Sequence, residues 1–304
     1  MADEQGHQHV GTPVGRHRLG PHVVGQRVVV RHLLPDGRAT DVLGTCTAWG
    51  DDVAVVESDR GPVEIRVADI VTGKPVPPRA SVRARVSARD AEQHGLALFP
   101  GLETMAVGDW LLRSDPAPTE RLFKRANSCL AMGRPDVPFP EAERVVRDFY
   151  AGRERPALVQ VEQDSMTEHS FRTAGWTPLA EGDTWFMVAS LAGVARRLPP
   201  APADVRVSDD GARVLAELLR DGAPVARGRA ALDGDWLAVH GLATAPPYRR
   251  QGLARQVLAE LVDWGAARGA TTLWLHVETD NAPAIAWYDA LGFRTHHACR
   301  YLTA

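Results

Sequence analysis

The chain reads Tyr248-Arg249-Arg250-Gln251-Gly252-Leu253-Ala254-Arg255 at a point where an extended, apolar run gives way to a helical pattern. Small residues at such a junction leave main-chain N–H groups free at a helix start, where the helix dipole favours negative charge. With Arg249, Arg250 and Arg255 beside them as mobile cations, these donors suit a pyrophosphate. Gly252 permits close approach, since a Cβ there would crowd phosphate oxygens. An ordinary helix start after a turn also uses Gly and Arg, so the loop by itself leaves both readings open. The titratable side chains near it are His240, His276, Glu278 and Tyr288, and what they do depends on the elements that carry them.

Those elements follow from periodicity. A strand is predicted over 236–244, then a turn with Pro246 and Pro247, then a helix over 252–267 with Leu253, Val257, Leu258 and Leu261 at helical spacing. The run 271–277 alternates Leu273, Leu275 and Val277 against Trp274, His276 and Glu278, which predicts a strand. A second helix begins near Asn281, takes Pro283 in its first turn and ends at Gly292, before a last strand over 294–302.

An internal repeat precedes this unit. Residues 147–176 resemble 262–293 in the order of elements. Each has a helix end with an aromatic (Phe149 and Tyr150; Trp264) and then an apolar strand closing in Val-Glu-x-Asp, at Val161-Glu162-x-Asp164 and Val277-Glu278-x-Asp280. A further helix follows, closing with Gly175-Trp176 or Gly292-Phe293. The repeat predicts two related subdomains, each with its own sheet. Further upstream, 23–71 reads as about five short strands, with β-branched runs at 26–31 and 52–56, turn signals at Pro35-Asp36-Gly37 and Asp59-Arg60-Gly61, and Val63, Ile65 and Val67 on one face. This predicts an SH3-like barrel. Pro75, Pro77 and Pro78 mark a linker over 72–81, and the polar start with His7, His9 and His17 reads as a disordered tail. The expected domains are therefore a tail at 1–20, a small barrel with its linker at 21–80, a first α/β subdomain at 81–195 and a second at 196–304.

Arg249-x-x-Gly252-x-Ala254 resembles the Arg/Gln-x-x-Gly-x-Gly/Ala loop of the GNAT superfamily of N-acetyltransferases. Leu273-x-Leu275-x-Val277, followed by Asn281, Ala284, Tyr288 and Gly292-Phe293, is similar to that superfamily's second signature at the right separation. The strong resemblance covers about 225–302, and 147–176 resembles a degenerate copy without the Arg-x-x-Gly loop. The whole arrangement is similar to bacterial acetyltransferases with an SH3-like N-terminal domain, some of them called protein or histone acetyltransferases. What the resemblance implies is a tandem mixed-sheet α/β GNAT fold whose first copy is degenerate, with a V-shaped opening between strands 236–244 and 271–277. Acetyl-CoA would be the co-substrate. Its pantetheine arm would pair near Leu242, Ala243 and Thr244, and its pyrophosphate would lie on Arg249, Arg250, Gln251, Gly252, Leu253, Ala254 and Arg255. Asn281 and Tyr288 would meet the arm from the second helix.

Tyr288 matches the superfamily's tyrosine beside the thioester sulfur, and a phenol near about 10 can protonate a departing thiolate. Packing against Trp287 and Leu291 is the other reading of that tyrosine. For the base, His240 on the first strand of the V has an intrinsic pKa of roughly 6.5 that suits the task. His276 takes a place where some protein N-terminal acetyltransferases keep a glutamate. Glu278 is a carboxylate near the arm, but its counterpart Glu162 lies in the copy without a phosphate loop, which equally suits a structural carboxylate bonding backbone at the turn. The acceptor implied is a primary amine, on a small molecule or on a protein lysine or N-terminus. A non-catalytic acyl-CoA sensor that docks a partner through the small barrel is the alternative. Between 189 and 224 there is little room for both helices that usually wall an acceptor site, which predicts that the degenerate copy supplies that wall.

Bulk properties bound these readings. A formal net charge of -3 gives no basic field for nucleic acid or an anionic membrane surface. No apolar run is long enough for a membrane span. Cys46, Cys129 and Cys299 have no zinc-type spacing and no even pairing, so they read as buried thiols of a cytoplasmic protein with no metal expected.

Overall fold

Val28, Val30 and His32 are buried while their neighbours are not, the period of a strand with one face on a core. That strand belongs to the first of two compact units, Met1–Ala80 and Ser81–Ala304. The computed structural model describes residues 19–58, 60–76, 82–117, 123–180, 182–201 and 204–304. His7, His9 and His17 of the predicted tail, and Pro77 and Pro78 of the predicted linker, lie outside them.

In the first unit, β1 (Arg27–Leu33), β2 (Ala39–Trp49), β3 (Val53–Ser58), β4 (Gly61–Arg66) and β5 (Ile70–Pro75) form an antiparallel sheet in the order β4-β3-β2-β1-β5. Val28, Val30, Cys46, Val56, Ile65 and Ile70 make its core, and Leu19, from the last residues of the predicted tail, is buried with them. The linker expected from residue 72 gives way to β5, which pairs with β1 as far as Pro75. A proline is tolerated there because β5 lies at the sheet edge, where a missing N–H removes no ladder bond. No β4–β5 ladder closes the sheet into a barrel among the described residues.

The second unit opens with α1 (Ala88–Gln93), β6 (Glu103–Val107), β7 (Trp110–Ser114), β8 (Cys129–Leu130), α2 (Phe139–Ala151), β9 (Leu158–Glu162), α3 (Met166–Thr173), β10 (Thr177–Pro178), β11 (Thr184–Ser190) and α4 (Leu191–Ala195). It continues with β12 (Val205–Asp209), β13 (Arg213–Arg220), β14 (Ala223–Asp233), β15 (Trp236–Thr244), α5 (Leu253–Ala266), β16 (Thr272–Glu278), α6 (Ala282–Leu291) and β17 (Arg294–Thr303). The repeat is realised as α2-β9-α3 and α5-β16-α6, and each copy has one parallel ladder, β8 with β9 and β15 with β16.

The two copies do not have separate sheets. One sheet runs β12-β13-β14-β15-β16-β11-β17-β9-β8-β7-β6, with β10 paired to β17. The copies exchange strands: β11, from the first, pairs with β16 of the second, while β17, from the second, pairs with β9 of the first. The expectation of a sheet for each copy is therefore corrected. The cause is that β11 and β17 pair with each other, so each lies between its own copy and the other.

On one face of the second half, α5 buries Val257, Leu258, Leu261, Val262 and Trp264. A Cβ on Gly265 would come within 2.4 Å of the Leu237 side chain, so only glycine lets α5 pack this close to β15. On the other face, β12 and β13 form a hairpin with no helix between them. The cover comes from the start of the unit: Ala91 of α1 and Leu98 join Phe186, Ala231, Trp236 and Trp274 in one cluster. His94 stacks on Trp236 at 4.4 Å and lies 2.7 Å from Asp233. The cover on this face thus comes from residues 91–98, which precede α2-β9-α3.

Candidate active site

β15 and β16 are paired only at Trp236–Thr272, Leu237–Leu273 and Ala238–Trp274. Both strands run on, to Thr244 and Glu278, without further pairing between them, and this makes a V. Gly241 sits in β15 with φ +60°, opposite the register shift between Arg227 and Arg229 of β14. A bulge of this kind bends a strand and turns it away from its neighbour. Ala245 N–H donates to Val225 O. By the alternation of a strand, Ala243 turns its amide to β14, and Thr244 and Leu242 turn theirs to the open side. Thr244 O accepts from Arg249 Nε at 3.3 Å. Across the V, the His276 side chain is 1% exposed although the residue as a whole is half-buried. Its exposure is therefore main-chain, at the opened edge of β16.

At the head of α5, Gly252 is the N-cap with φ +78° and has no side-chain cap, and no acidic residue stands in the first turn. Arg250 is also left-handed, at φ +65°. Among the described residues the N–H groups of Arg250, Gln251, Gly252, Leu253 and Ala254 donate to nothing, whereas the next two, of Arg255 and Gln256, both reach Gly252 O. Five successive free donors at a helix start form an anion cradle. A Cβ on Gly252 would meet only open space within the chain, so its φ is what selects glycine. Arg249, Arg250, Gln251 and Arg255 are exposed, Ala254 is half-buried and Leu253 is buried in the α5 core. Gln251 Nε2 donates to Pro247 O at 3.4 Å, and Arg255 Nη2 to Arg197 O at 2.6 Å. The first copy offers nothing comparable: α2 starts at Phe139 with Pro138 as N-cap and Pro140 in its first turn, which removes N–H donors.

α6 is apolar yet poorly buried. Only Leu291 is fully covered, while Ala284, Ile285, Trp287 and Tyr288 are partly exposed against the α5 core. Asn281 caps the helix through Oδ1, accepting from Ala284 N at 3.2 Å, which leaves its NH2 group for another partner. Tyr288 lies 5.4 Å from the Phe293 ring and 4.9 Å from Trp287, and burial pushes its phenol up to about 12. Its hydroxyl makes no hydrogen bond among the described residues.

His240 faces the opposite side of the sheet from α5, on the same face as Trp236 and Ala238. Burial, with the charges of Arg125 and Arg229, lowers its pKa to about 4. The imidazole is thus neutral at pH 7, but far weaker as a base than its intrinsic value suggests. Glu278 is exposed at the end of β16. Its main-chain oxygen, not its carboxylate, closes the turn by accepting from Asn281 N, so the structural bond considered for its side chain is not made among the described residues.

The sequence did not point to Glu92. Buried in α1, its Oε1 is the focus of His276 Nε2 at 2.7 Å, His297 Nε2 at 3.2 Å and Cys299 Sγ at 3.0 Å. One side-chain O, N or S atom from each of Glu92, His297 and Cys299 lies within 4.8 Å of those of the other two. Burial raises the Glu92 carboxyl, but His276 and His297 outweigh it and hold it well below the usual range. Burial also lowers His276 to about 4, against the attraction of Glu92.

Residues 184–293, which begin with β11 and end just past α6, match the acetyltransferase (GNAT) family. Residues 22–74 match the Rv0428c N-terminal Sm-like domain. The [ribosomal protein bS18]-alanine N-acetyltransferase of Escherichia coli K12 is 48% identical over 59 residues, which are 19% of this chain and 40% of that protein's length. The "probable histone acetyltransferase Rv0428c" of Mycobacterium tuberculosis is 28% identical across 92% of this chain and 95% of its own. A GCN5-related N-acetyltransferase from Kribbella flavida shares the fold at a TM-score of 0.54 and 18% identity, over 74% of this chain and 96% of that one. Residues 184–293 are a GNAT acetyltransferase domain, and residues 22–74 are an Sm-like domain.

Proposed function

We propose that the chain transfers the acetyl group of acetyl-CoA to a primary amine by direct attack. The observation that carries this reading is the run of five free amides from Arg250 to Ala254, set at the head of α5 and following directly on the arm of the V formed by β15. The amides suit the pyrophosphate. The outward amides of Leu242 and Thr244 suit the amide-bearing arm, and the free NH2 of Asn281 can meet it from α6.

In this reading the acceptor nitrogen bonds to the acetyl carbon as the carbon–sulfur bond breaks. Tyr288, kept protonated by burial, donates to the departing sulfur. A free amide of the splayed strand stabilises the developing oxyanion. His240, neutral above about pH 5, takes the proton that the amine loses; exposed Glu278 is the third candidate. The Escherichia coli and Mycobacterium tuberculosis relatives are called acetyltransferases of protein substrates, which makes a protein amine one class of acceptor to test.

The test is titration calorimetry with acetyl-CoA, followed by thiol release in the presence of amino acids, polyamines, aminoglycosides and basic peptides. Binding together with amine-dependent thiol release supports the proposal. Binding without release from any amine makes the chain an acyl-CoA sensor instead.

A further inference from the structure

A cavity of about 350 Å³ opens on the face of β13, β14 and β15 opposite α5, and His240 is part of its wall, with Arg229, Arg213, Asp209, Asp210 and Leu98. Arg229 and His240 are direct cross-strand partners in the β14–β15 ladder, so their side chains stand on one face with Cβ atoms about 5 Å apart. The acids of the wall are already matched. Asp210 is gripped by Arg213 Nε at 3.0 Å and by the Arg213 N–H at 2.8 Å, and Asp209 by Arg268 at 3.4 Å. The Arg229 side chain makes no ion pair and no hydrogen bond among the described residues, and neither does that of Arg125, whose charge also reaches His240. The uncompensated charge of the cavity is therefore positive.

Three physical consequences follow for an amine brought to His240. A second cation beside unpaired guanidiniums is repelled, which disfavours polyamines and lysine-rich segments. A carboxylate on the same molecule is attracted, and Arg229 offers it a planar, two-pronged donor. The same field lowers the pKa of a bound ammonium, which increases the fraction of free amine able to attack.

We propose that the acceptor is an amine with a carboxylate a few bonds from its nitrogen, of the amino-acid class, and that Arg229 binds this carboxylate while the nitrogen lies at His240. The proposal rests on the acetyltransferase reading. It deepens that reading by naming the substrate class and a specificity-determining residue.

The test compares L-amino acids with their methyl esters, and both with spermidine and a lysine-rich peptide, by thiol release. Free acids are expected to exceed their esters by about tenfold or more in kcat/KM. Arg229→Gln raises KM about tenfold for the acids, changes the esters much less and leaves the affinity for acetyl-CoA nearly unchanged, while Arg229→Lys recovers part of the loss. Preference for spermidine, the peptide or the esters overturns the proposal and leaves the acetyltransferase reading intact. So does an equal effect of Arg229→Gln on acids and esters. If acetyl-CoA binds and no amine is acetylated, the acetyltransferase reading fails, and calorimetry of the same amino acids against acetyl-CoA-saturated protein decides the pocket. Binding that is lost in Arg229→Gln upholds the carboxylate site, and no binding removes it.

Discussion

Glu92 and His276 are 184 residues apart in sequence, and 2.7 Å separates Oε1 of the one from Nε2 of the other. An ionised carboxylate only accepts, so the imidazole proton sits on Nε2 and Nδ1 carries the lone pair; Nδ1 is buried without a partner. Protonating this ring in place would bury a second charge. Folded His276 and His240 both titrate near about 4, against roughly 6.5 for the unfolded chain. Between those values the unfolded chain binds more protons, so the stability from the neutral rings is complete above about pH 6.5 and is lost as pH falls towards 4. A thermal melt should show a flat Tm from pH 7 to 8 and a steep fall from 6.5 to 4. A flat profile down to pH 4.5 would contradict the buried neutral histidines.

Glu92→Ala leaves the donors of His276, His297 and Cys299 without an acceptor. At about 1–3 kcal/mol for each orphaned buried group, the loss is at least about 3 kcal/mol. That corresponds to a Tm roughly 6–12 °C lower at pH 7 for a unit of this size. Calorimetry of the variant measures it, and a shift under 2 °C would show that water takes over the role of the carboxylate.

Gly252→Asp should abolish acetyl-CoA binding and leave the fold in place. The left-handed φ of +78° costs a non-glycine residue only about 1–2 kcal/mol, and the new side chain meets open space. Its charge, however, projects among the free amides. Circular dichroism and titration calorimetry separate the two effects, and retained binding would remove the loop from the cofactor site.

Tyr288→Phe is expected to lower kcat about 10²-fold or more while the Kd for acetyl-CoA changes less than about threefold, because the ring keeps its contacts with Trp287 and Phe293. Equal losses in both would make Tyr288 a packing residue.

The pKa of about 4 for His240 moves its influence out of the neutral range. A rise of kcat/KM between pH 6 and 9 should therefore follow the ionisation of the acceptor amine. His240→Gln should lower the plateau without shifting that limb. A limb near pH 6.5 that disappears in the variant would show that His240 is solvated during turnover.

Much of the candidate site's geometry was legible because it is local. The left-handed Gly252, the capping Asn281 and the left-handed Gly292 each leave a mark within a few residues of where they act. The apolar face of α5 is visible as a helical period. What stayed hidden depends on distant pairing. Nothing in the alternation of 184–190 says that its partner is 272–278, and nothing around Glu92 marks it as the acceptor for side chains near the C-terminus. The low pKa of His240 depends on Arg125, from a segment 115 residues earlier (240 − 125) that no periodicity connects to β15.

The exchange of β11 and β17 also sets the order in which the molecule can be completed. β9 acquires β17 as a neighbour only when residues 294–303 emerge from the ribosome. Until then the earlier half presents an unsatisfied strand edge, so it cannot finish folding before the later half has been made. Closure of both halves becomes a single late event, and a nascent chain stalled short of residue 294 is exposed to proteases and to pairing with its neighbours on the same message.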